Sequence, residues 1–244
     1  MSMSSVGLAF LFSRTYAIYR AHLRVVVGVA GGVVLVADLI LGLGLGQLTA
    51  RYRPMQPVSQ VIIAYAAMLF VTTPLVTAML ARAVLDVLAG TEPSARRAVR
   101  CGLDLFAPLL LAIVLYSVAV AAGFILLILP GVYIAVSCYF VAQAVVVDDR
   151  RGMAALARSA ELVRGRWLRA VLTGLAFVVV VQIPGMLAQL LFDTAAHAAD
   201  AGAVLVLGDV VVQTFTLPFV AIGATLFYLD LRAEPLQAAA RPVP

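Results

Sequence analysis

The chain contains no lysine: all 17 of its basic residues are arginine, and they stand in short stretches between long spans with almost no charge. Charged residues make up only 12% of the 244 residues, whereas hydrophobic residues make up 64% and the mean hydropathy is +1.09. A water-soluble domain of this size could not hide so much apolar surface. The composition therefore excludes a soluble globular protein and predicts that lipid surrounds most of the chain.

Cysteine and histidine are also scarce, which argues against a disulfide framework or a metal site. Cys101 and Cys138 show no ligand spacing and lie in or near apolar segments, so we interpret them as small buried side chains. His22 and His197 fall at opposite predicted faces of the membrane and cannot share a metal ion. We predict neither a metal nor a cofactor.

Common catalytic and nucleic-acid-binding patterns are missing from the sequence as well. HExxH, CxxC, Gly-x-Ser-x-Gly and the phosphate-binding loop do not occur. The glycines between positions 42 and 46 end an apolar span, where close helix packing explains them better than phosphate binding. The arginines sit at membrane boundaries, where anionic lipid headgroups attract them, so the net charge of +5 does not indicate nucleic acid.

Six apolar spans predict an all-α integral membrane protein with six transmembrane helices. The spans are Val25–Gly46, Val58–Ala81, Ala107–Leu129, Gly131–Val147, Ala170–Phe192 and Ala203–Leu229. No small-residue cleavage site follows the first span, so we expect it to be retained. Between the third and fourth spans, Leu129-Pro130-Gly131 forms either a tight turn, which the residue types favour, or a kink in a re-entrant segment.

Three arginine-rich stretches precede these spans, at Val6–Arg24, Thr91–Phe106 and Asp148–Leu168. Their apolar residues recur at helical spacing, which predicts amphipathic helices lying in the membrane interface. All arginines except Arg51 and Arg53 fall on the same side as these stretches. The positive-inside rule makes that side cytoplasmic, with both termini on it, and places the protein in the cytoplasmic membrane.

The first and last thirds of the chain match at a constant offset of 144 residues. The matched pairs are Arg14 with Arg158, Thr15 with Ser159, Arg20 with Arg164, Thr72 with Thr216, Pro74 with Pro218, Leu85 with Leu229, and Asp86 with Asp230. The middle third has the same order of elements but needs a gap. We therefore predict three repeats of an amphipathic helix and a membrane hairpin.

These repeats divide one polytopic membrane domain, residues 1–234, into units at about 6–90, 91–148 and 149–234. Because the three units enter from the same side, we expect parallel repeats around an axis along the membrane normal. Residues 235–244 are predicted to form a disordered cytoplasmic tail.

Several short segments resemble a known family. They are Leu129-Pro130-Gly131-Val132-Tyr133, Val145-Val146-Val147-Asp148, Ala155-Leu156-Ala157-Arg158-Ser159, Leu162-Val163-Arg164-Gly165-Arg166-Trp167 and Tyr228-Leu229-Asp230-Leu231-Arg232-Ala233-Glu234. From about Leu126 to Glu234 the chain resembles the bacterial integral-membrane family known as the glycerophosphodiester phosphodiesterase membrane domain, with Asp148 where that family is expected to have Glu. In proteins of that family that carry a phosphodiesterase, the catalytic part is a separate soluble barrel. The resemblance therefore implies a membrane module without the barrel.

Polar residues inside the predicted spans are the first group of candidate site residues: Asp38, Gln182, Asp209, Gln213 and Gln143. A carboxyl group near the bilayer midplane is costly and usually faces the bundle interior. Asp38 acts either in a proton relay, or as a ligand for a cation or a polar headgroup, or as a protonated contact between helices that bonds Gln182. Asp209 and Gln213 stand one helical turn apart in the sixth span.

The second group, Arg158, Arg164, Arg166 and Trp167, is a candidate site for lipid phosphate on the cytoplasmic leaflet. Guanidinium groups bind phosphate through two parallel hydrogen bonds. Ordinary anchoring at the interface explains the same arginines without a site. Glu161 stands three residues from both Arg158 and Arg164 and is placed to pair with them.

From these observations we interpret the chain as a non-enzymatic membrane module that interacts with lipids or organises a membrane protein partner. Two alternatives stay open. One is a transporter or channel component for a lipid or small molecule that uses Asp38. The other is an intramembrane enzyme with Asp38 or Asp209 as an acid.

Overall fold

The computed structural model describes residues 3–44 and 58–239, and all regular structure in these two ranges is helical. The α-helices are α1 (Met3–Ala21), α2 (Leu23–Gly44), α3 (Val58–Ala67), α4 (Thr73–Leu88), α5 (Ala95–Asp104), α6 (Phe106–Leu126), α7 (Ile128–Ser137), α8 (Val141–Asp148), α9 (Met153–Val163), α10 (Trp167–Phe177), α11 (Ile183–Ala199) and α12 (Gly202–Ala239). Predicted features at Arg51, Arg53, Gly46 and Arg241 lie outside the described residues.

Six helical stretches are long and apolar enough to cross a membrane, which confirms the predicted all-α, multi-pass architecture at that level. They are Leu23–Leu41, Phe70–Leu88, Phe106–Leu126, Ile128–Asp148, Trp167–Ala199 and Gly202–Ala233. Many large hydrophobic side chains on them are exposed, and in the α6–α7 connection Ile125 and Leu129 are 86% and 82% exposed. Such a surface is stable in lipid and unstable in water.

The chain reverses between α6 and α7 at Leu127, whose backbone is extended with φ −167°. The sequence placed this turn at Leu129-Pro130-Gly131, but Pro130 and Gly131 lie in the first turn of α7, where proline needs no hydrogen-bond partner for its nitrogen. Gly131 instead allows close packing: a Cβ added to Gly123 would lie 2.8 Å from the Cα atom of Gly131. The two helices therefore touch through their backbones near the turn.

Two prolines follow π-helical turns, at Met68–Thr72 before Pro74 and at Val178–Gln182 before Pro184. Proline lacks an N–H group and cannot bond the carbonyl four residues earlier, which here falls inside the π-helical turn. The helices adjust there by a wider turn instead of ending. At Pro218, by contrast, α12 continues as an α-helix past the proline.

The three arginine-rich stretches form the helices α1, α5 and α9, which lie outside the six membrane-spanning stretches and are called the short helices here. Each of them packs against membrane-spanning helices. The helix α5 packs against α2 and α4, and α9 packs against α6 and the α7–α8 pair. The helix α1 packs against α12, and its Phe12 ring stacks on Phe177 of α10 at 4.5 Å. Each short helix therefore lies on the hairpin that precedes it in the chain, and α1 lies on the last hairpin.

An arginine is followed by a fully buried small residue at one point of each short helix. Thr15 is 0% exposed after Arg14, Ala98 is 1% exposed after Arg97, and Ser159 is 0% exposed after Arg158. Small side chains at these points let the short helices approach the long ones closely.

The C-terminal helix α12 lies at the centre of the bundle, in contact with α1, α2, α4, α8, α9 and α11. Its residues Ile222, Leu226 and Tyr228 are among the largest fully buried side chains. The helix reaches Ala239, which is inside the segment predicted to be a disordered tail. The last five residues of that segment lie outside the described part of the chain.

Candidate functional site

Two acidic residues approach each other where α2 crosses α12. A Cβ on Gly31 would lie 2.9 Å from Cγ2 of Thr214, so the two helices are in contact there. Two turns further along α2, Asp38 lies near enough to Asp209 for the two charges to influence each other. Gln213 is 8% exposed and donates a hydrogen bond of 2.6 Å from Nε2 to Oδ2 of Asp209. The structure thus brings together Asp38, Asp209 and Gln213, three of the predicted polar residues.

This cluster is incompletely bonded. The buried Oδ2 atom of Asp38 has no hydrogen-bond partner among the described residues, and neither has the buried Oγ1 atom of Thr214. Leaving a buried polar atom without a hydrogen-bond partner is energetically costly.

The other two predicted polar residues lie elsewhere. Gln182 is exposed on the second π-helical turn, and Gln143 is buried in α8, where its Oε1 atom has no hydrogen-bond partner in the described structure. Neither joins the α2–α12 contact, so the charged neighbour of Asp38 is Asp209.

The best-bonded polar group is the Asp148 clamp, formed by Asp148, Arg158, Tyr228 and Arg232. Asp148 ends α8, and its side chain is 7% exposed. Its Oδ2 atom accepts hydrogen bonds from Nε of Arg158 at 2.7 Å and from the hydroxyl of Tyr228 at 2.9 Å, and its Oδ1 atom lies 3.2 Å from Nε of Arg232. The clamp therefore ties α8, α9 and α12 together.

A second clamp, around Asp86, has the same layout. Asp86 lies near the end of α4 and is 4% exposed. Its carboxylate pairs with Arg82 at 3.1 Å and with Arg97 of α5 at 3.1 Å. In both clamps a buried aspartate at the end of a long helix holds an arginine of the next short helix, next to its fully buried small residue.

The predicted lipid-phosphate residues have different surroundings. Arg158 is committed to Asp148 and also pairs with Glu161 at 3.0 Å, and the bond to Asp148 raises the pKa of the guanidinium above its ordinary value. Arg166 contacts the carbonyl of Leu231 at 3.4 Å. Arg164 is exposed, and the described structure shows no bond from its side chain.

Trp167 stacks on Tyr133 at 6.2 Å between ring centroids. Its Nε1 atom is buried and has no hydrogen-bond partner among the described residues. The four predicted residues do not form one phosphate cradle: Arg158 is bonded within the protein, and Arg164 is the arginine among them that faces solvent.

The cysteines and acidic groups give no metal centre. Cys101 lies half-buried on α5, where burial raises the pKa of its thiol and keeps it protonated. Cys138 is buried, with its sulfur 4.0 Å from the carbonyl of Leu156. In residues 3–44 and 58–239, no three side chains of His, Cys, Asp or Glu gather as metal ligands do.

Two apolar grooves of similar size lie beneath short helices. The α2 groove, of about 590 Å³, lies between α2, α4 and α5 and includes Arg24, Gly28, Gly32, Leu75, Met79 and Val99. The α12 groove, of about 550 Å³, lies between α1, α11 and α12 and includes Tyr16, Tyr19, Pro184, Gly185, Phe215 and Phe219. Both volumes fall in the range of sites for lipid-sized and drug-sized molecules.

A third cavity, of about 360 Å³, lies between α7, α10 and α12 and includes Tyr116, Tyr139, Gly174 and Phe227. Its walls are also mainly apolar, as expected for a surface that lipid can reach. None of the three cavities includes Asp38, Asp209 or Asp148 in its walls.

A family model for a domain of unknown function, DUF7847, matches residues 98–231, more than half of the chain. The chain belongs to the DUF7847 family. The DUF7847 match begins in α5 and ends in α12, so it contains Asp148, Arg158 and Tyr228 but not Arg24 or Asp38. No curated protein and no solved structure matches the chain.

The clamps are the feature that sequence reasoning missed. Asp148 begins the third arginine-rich stretch, as a carboxylate before a helix N-terminus would, but it ends the preceding helix and faces inward. A usable signal was present: Asp86 and Asp148 each end an apolar span and precede an arginine of the next short helix, by 11 and 10 residues. The bond from Tyr228, 80 residues away, had no local signal.

Proposed function

We propose that this protein is a non-enzymatic lipid-interacting module of the cytoplasmic membrane. The observation that carries the proposal is the pair of apolar grooves, each beneath a short helix that bears arginines. Lateral grooves with apolar walls suit acyl chains, and arginines beside them suit anionic headgroups. Both termini lie on the arginine-rich, cytoplasmic side in this proposal, and the short helices lie in the interface.

The module consists of three parallel repeats in this proposal. Three regularities support it: α5 and α9 pack on the hairpin that precedes each of them while α1 packs on the last hairpin, a buried small residue follows an arginine in each short helix, and aspartates with buried side chains lie at or near the ends of α4 and α8. Asp230 occupies the matching position in α12. The resemblance to the glycerophosphodiester phosphodiesterase membrane domain fits such a module.

Native mass spectrometry of the full chain in a mild detergent tests this function. We expect phospholipid to stay bound in discrete numbers through purification, because the grooves shield acyl chains from exchange. Incubation of the bound lipid should leave its headgroup intact. Protein that sheds all lipid under conditions that preserve its helical circular dichroism would count against lipid interaction, and headgroup cleavage would count against a non-enzymatic role.

The proximity of Asp38 and Asp209 within the membrane-spanning helices favours a second candidate function, proton-coupled transport. In that case Asp38→Asn should abolish solute or proton flux in proteoliposomes while the melting temperature stays the same, since the amide matches the carboxyl group in size but cannot carry a proton. Asp104→Asn, at an exposed position of α5, serves as the matched control and should leave flux unchanged. Wild-type vesicles no more permeable than empty ones would remove this candidate.

A further inference from the structure

We propose that the α2 groove is a binding site for one anionic phospholipid, with Arg24 holding the headgroup and the groove holding an acyl chain. This inference rests on the proposed lipid-interacting function and names its site. Arg24 begins the groove, and Ile40 and Val71 line its other end. From Arg24 to Ile40 the groove runs about 24 Å along α2 at 1.5 Å per residue. That length exceeds the acyl region of one leaflet, which is about 15 Å or half of the hydrocarbon core.

The charge distribution along the groove matches a phospholipid from head to tail. Arg24 is the charged residue among its lining side chains, and apart from Thr72 the remaining walls are apolar. Arg24 is exposed and makes no ion pair with any residue in the described ranges, so its guanidinium is available to a phosphate. Ala95, which also lines the groove, is followed by Arg96, a second exposed arginine.

Two of the four arginines on α4 and α5 are engaged by the protein. Arg82 and Arg97 are held by the buried carboxylate of Asp86, so they brace the end of α4 and the start of α5. The acidic residues next to the groove in the chain, Glu92 and Asp104, do not line it. Arg24 is therefore the charge that the groove itself presents, which favours an anionic over a zwitterionic headgroup.

Two glycines keep the groove open. Gly28 and Gly32 stand one turn apart on α2, both line the groove, and a Cβ at either position would meet no atom within 4 Å. Elsewhere on the same helix, Gly31 packs directly against Thr214. Glycine in a helix interior is unfavourable unless something packs closely against it. Since no protein atom does so at Gly28 or Gly32, an acyl chain is the partner that fits.

The site is tested by filling the groove and, separately, by removing its charge. Full-length protein is incorporated into bilayers of equimolar phosphatidylcholine and phosphatidylglycerol, extracted in mild detergent, and analysed by native mass spectrometry for bound phosphatidylglycerol. Gly28→Phe with Gly32→Phe should reduce retention about tenfold or more, because the rings occupy the acyl channel. Arg24→Gln should reduce it about fivefold and leave bound phosphatidylcholine unchanged.

Gly174→Phe is the matched control, because Gly174 also faces open space on a long helix but lines the third cavity. It should leave phosphatidylglycerol retention at the wild-type level. Size-exclusion profiles and melting temperatures check that every variant is folded. The Arg24→Gln variant keeps the test valid if the double phenylalanine variant fails to fold.

Other outcomes separate this site from the general function. Wild-type retention in both groove variants would overturn the site and leave lipid interaction standing. Loss in Gly174→Phe alone would move the site to the third cavity. Equal phosphatidylglycerol binding by Arg24→Gln, with loss in the phenylalanine variant, would overturn the anionic assignment.

A change from dimer to monomer in the phenylalanine variant would make a second copy of the chain the occupant. A wild-type protein without lipid would defeat the proposed function itself.

Discussion

Asp148→Asn will lower the melting temperature of the protein in detergent by about 6–12 °C, as expected for a loss of about 3 kcal/mol in a chain of this size. Asp148 is nearly buried and is the shared partner of Arg158, Tyr228 and Arg232. An amide can still accept a hydrogen bond, but it no longer offers charge to two guanidinium groups. The N–H groups of the asparagine amide would also face the hydrogen-bond donors of Arg158, Tyr228 and Arg232. The loss is large because one substitution loosens α8, α9 and α12 together.

Asp149→Asn is the control for this variant, one residue further along the chain. The side chain of Asp149 is 77% exposed and pairs with Arg151 at 3.4 Å. Exposed ion pairs contribute little, and asparagine tolerates the left-handed backbone at this position, where φ is 48°. We expect a change of less than about 0.5 kcal/mol. Thermal unfolding followed by circular dichroism measures both variants, and equal melting temperatures would show that the clamp is dispensable.

Gly223→Leu will disrupt the packing of α10 against α12. A Cβ at Gly223 would lie 2.0 Å from Cζ of Phe177 and 2.4 Å from its Cε1 atom. The Phe177 ring is 7% exposed and stacks on Phe12, so a shift of the ring towards the third cavity, which it lines, breaks that stacking. Overpacking of this kind costs about 1–3 kcal/mol for a few added carbons, and the contact with α1 raises the cost further. We expect the melting temperature to fall by about 5–12 °C.

A compensating substitution distinguishes overpacking from a general intolerance of leucine. Phe177→Ala alone leaves a cavity and should cost about 3–5 kcal/mol. Combined with Gly223→Leu, it should give a protein more stable than either single variant, because the leucine fills the vacated space. Gly174→Leu, where no atom lies within 4 Å, should be tolerated. Additive losses in the double variant would contradict the predicted ring-to-glycine contact.

The architecture was predictable from sequence because the hydropathy of a segment depends only on the residues within that segment. Runs such as Phe106–Leu126 carry no charge over a membrane-spanning length, so no alternative to a buried or lipid-facing helix exists for them. The short helices could be predicted from the alternation of arginine with apolar residues. The turn at Leu127 was displaced by two residues, because proline tolerates the first turn of a helix as well as a loop.

Contacts between distant helices were not predictable in the same way. Asp148 beside Asp149 looks like a pair of surface carboxylates, and only the fold places Tyr228 and Arg232 next to one of them. Asp38 stands out in the sequence, since a carboxyl in an apolar span is costly. Its proximity to Asp209 could not be predicted, because the two residues belong to spans far apart in the chain. The grooves depend on the spacing between helices, which a single sequence does not specify.

The central position of α12 has a consequence for how the bundle assembles. This helix follows every other described helix in the chain, yet it contacts α1, α2, α4, α8, α9 and α11. Until it inserts, Asp148 lacks both Tyr228 and Arg232, and Phe12 lacks Phe219. These contacts between earlier helices and α12 therefore form only after α12 has been made and inserted.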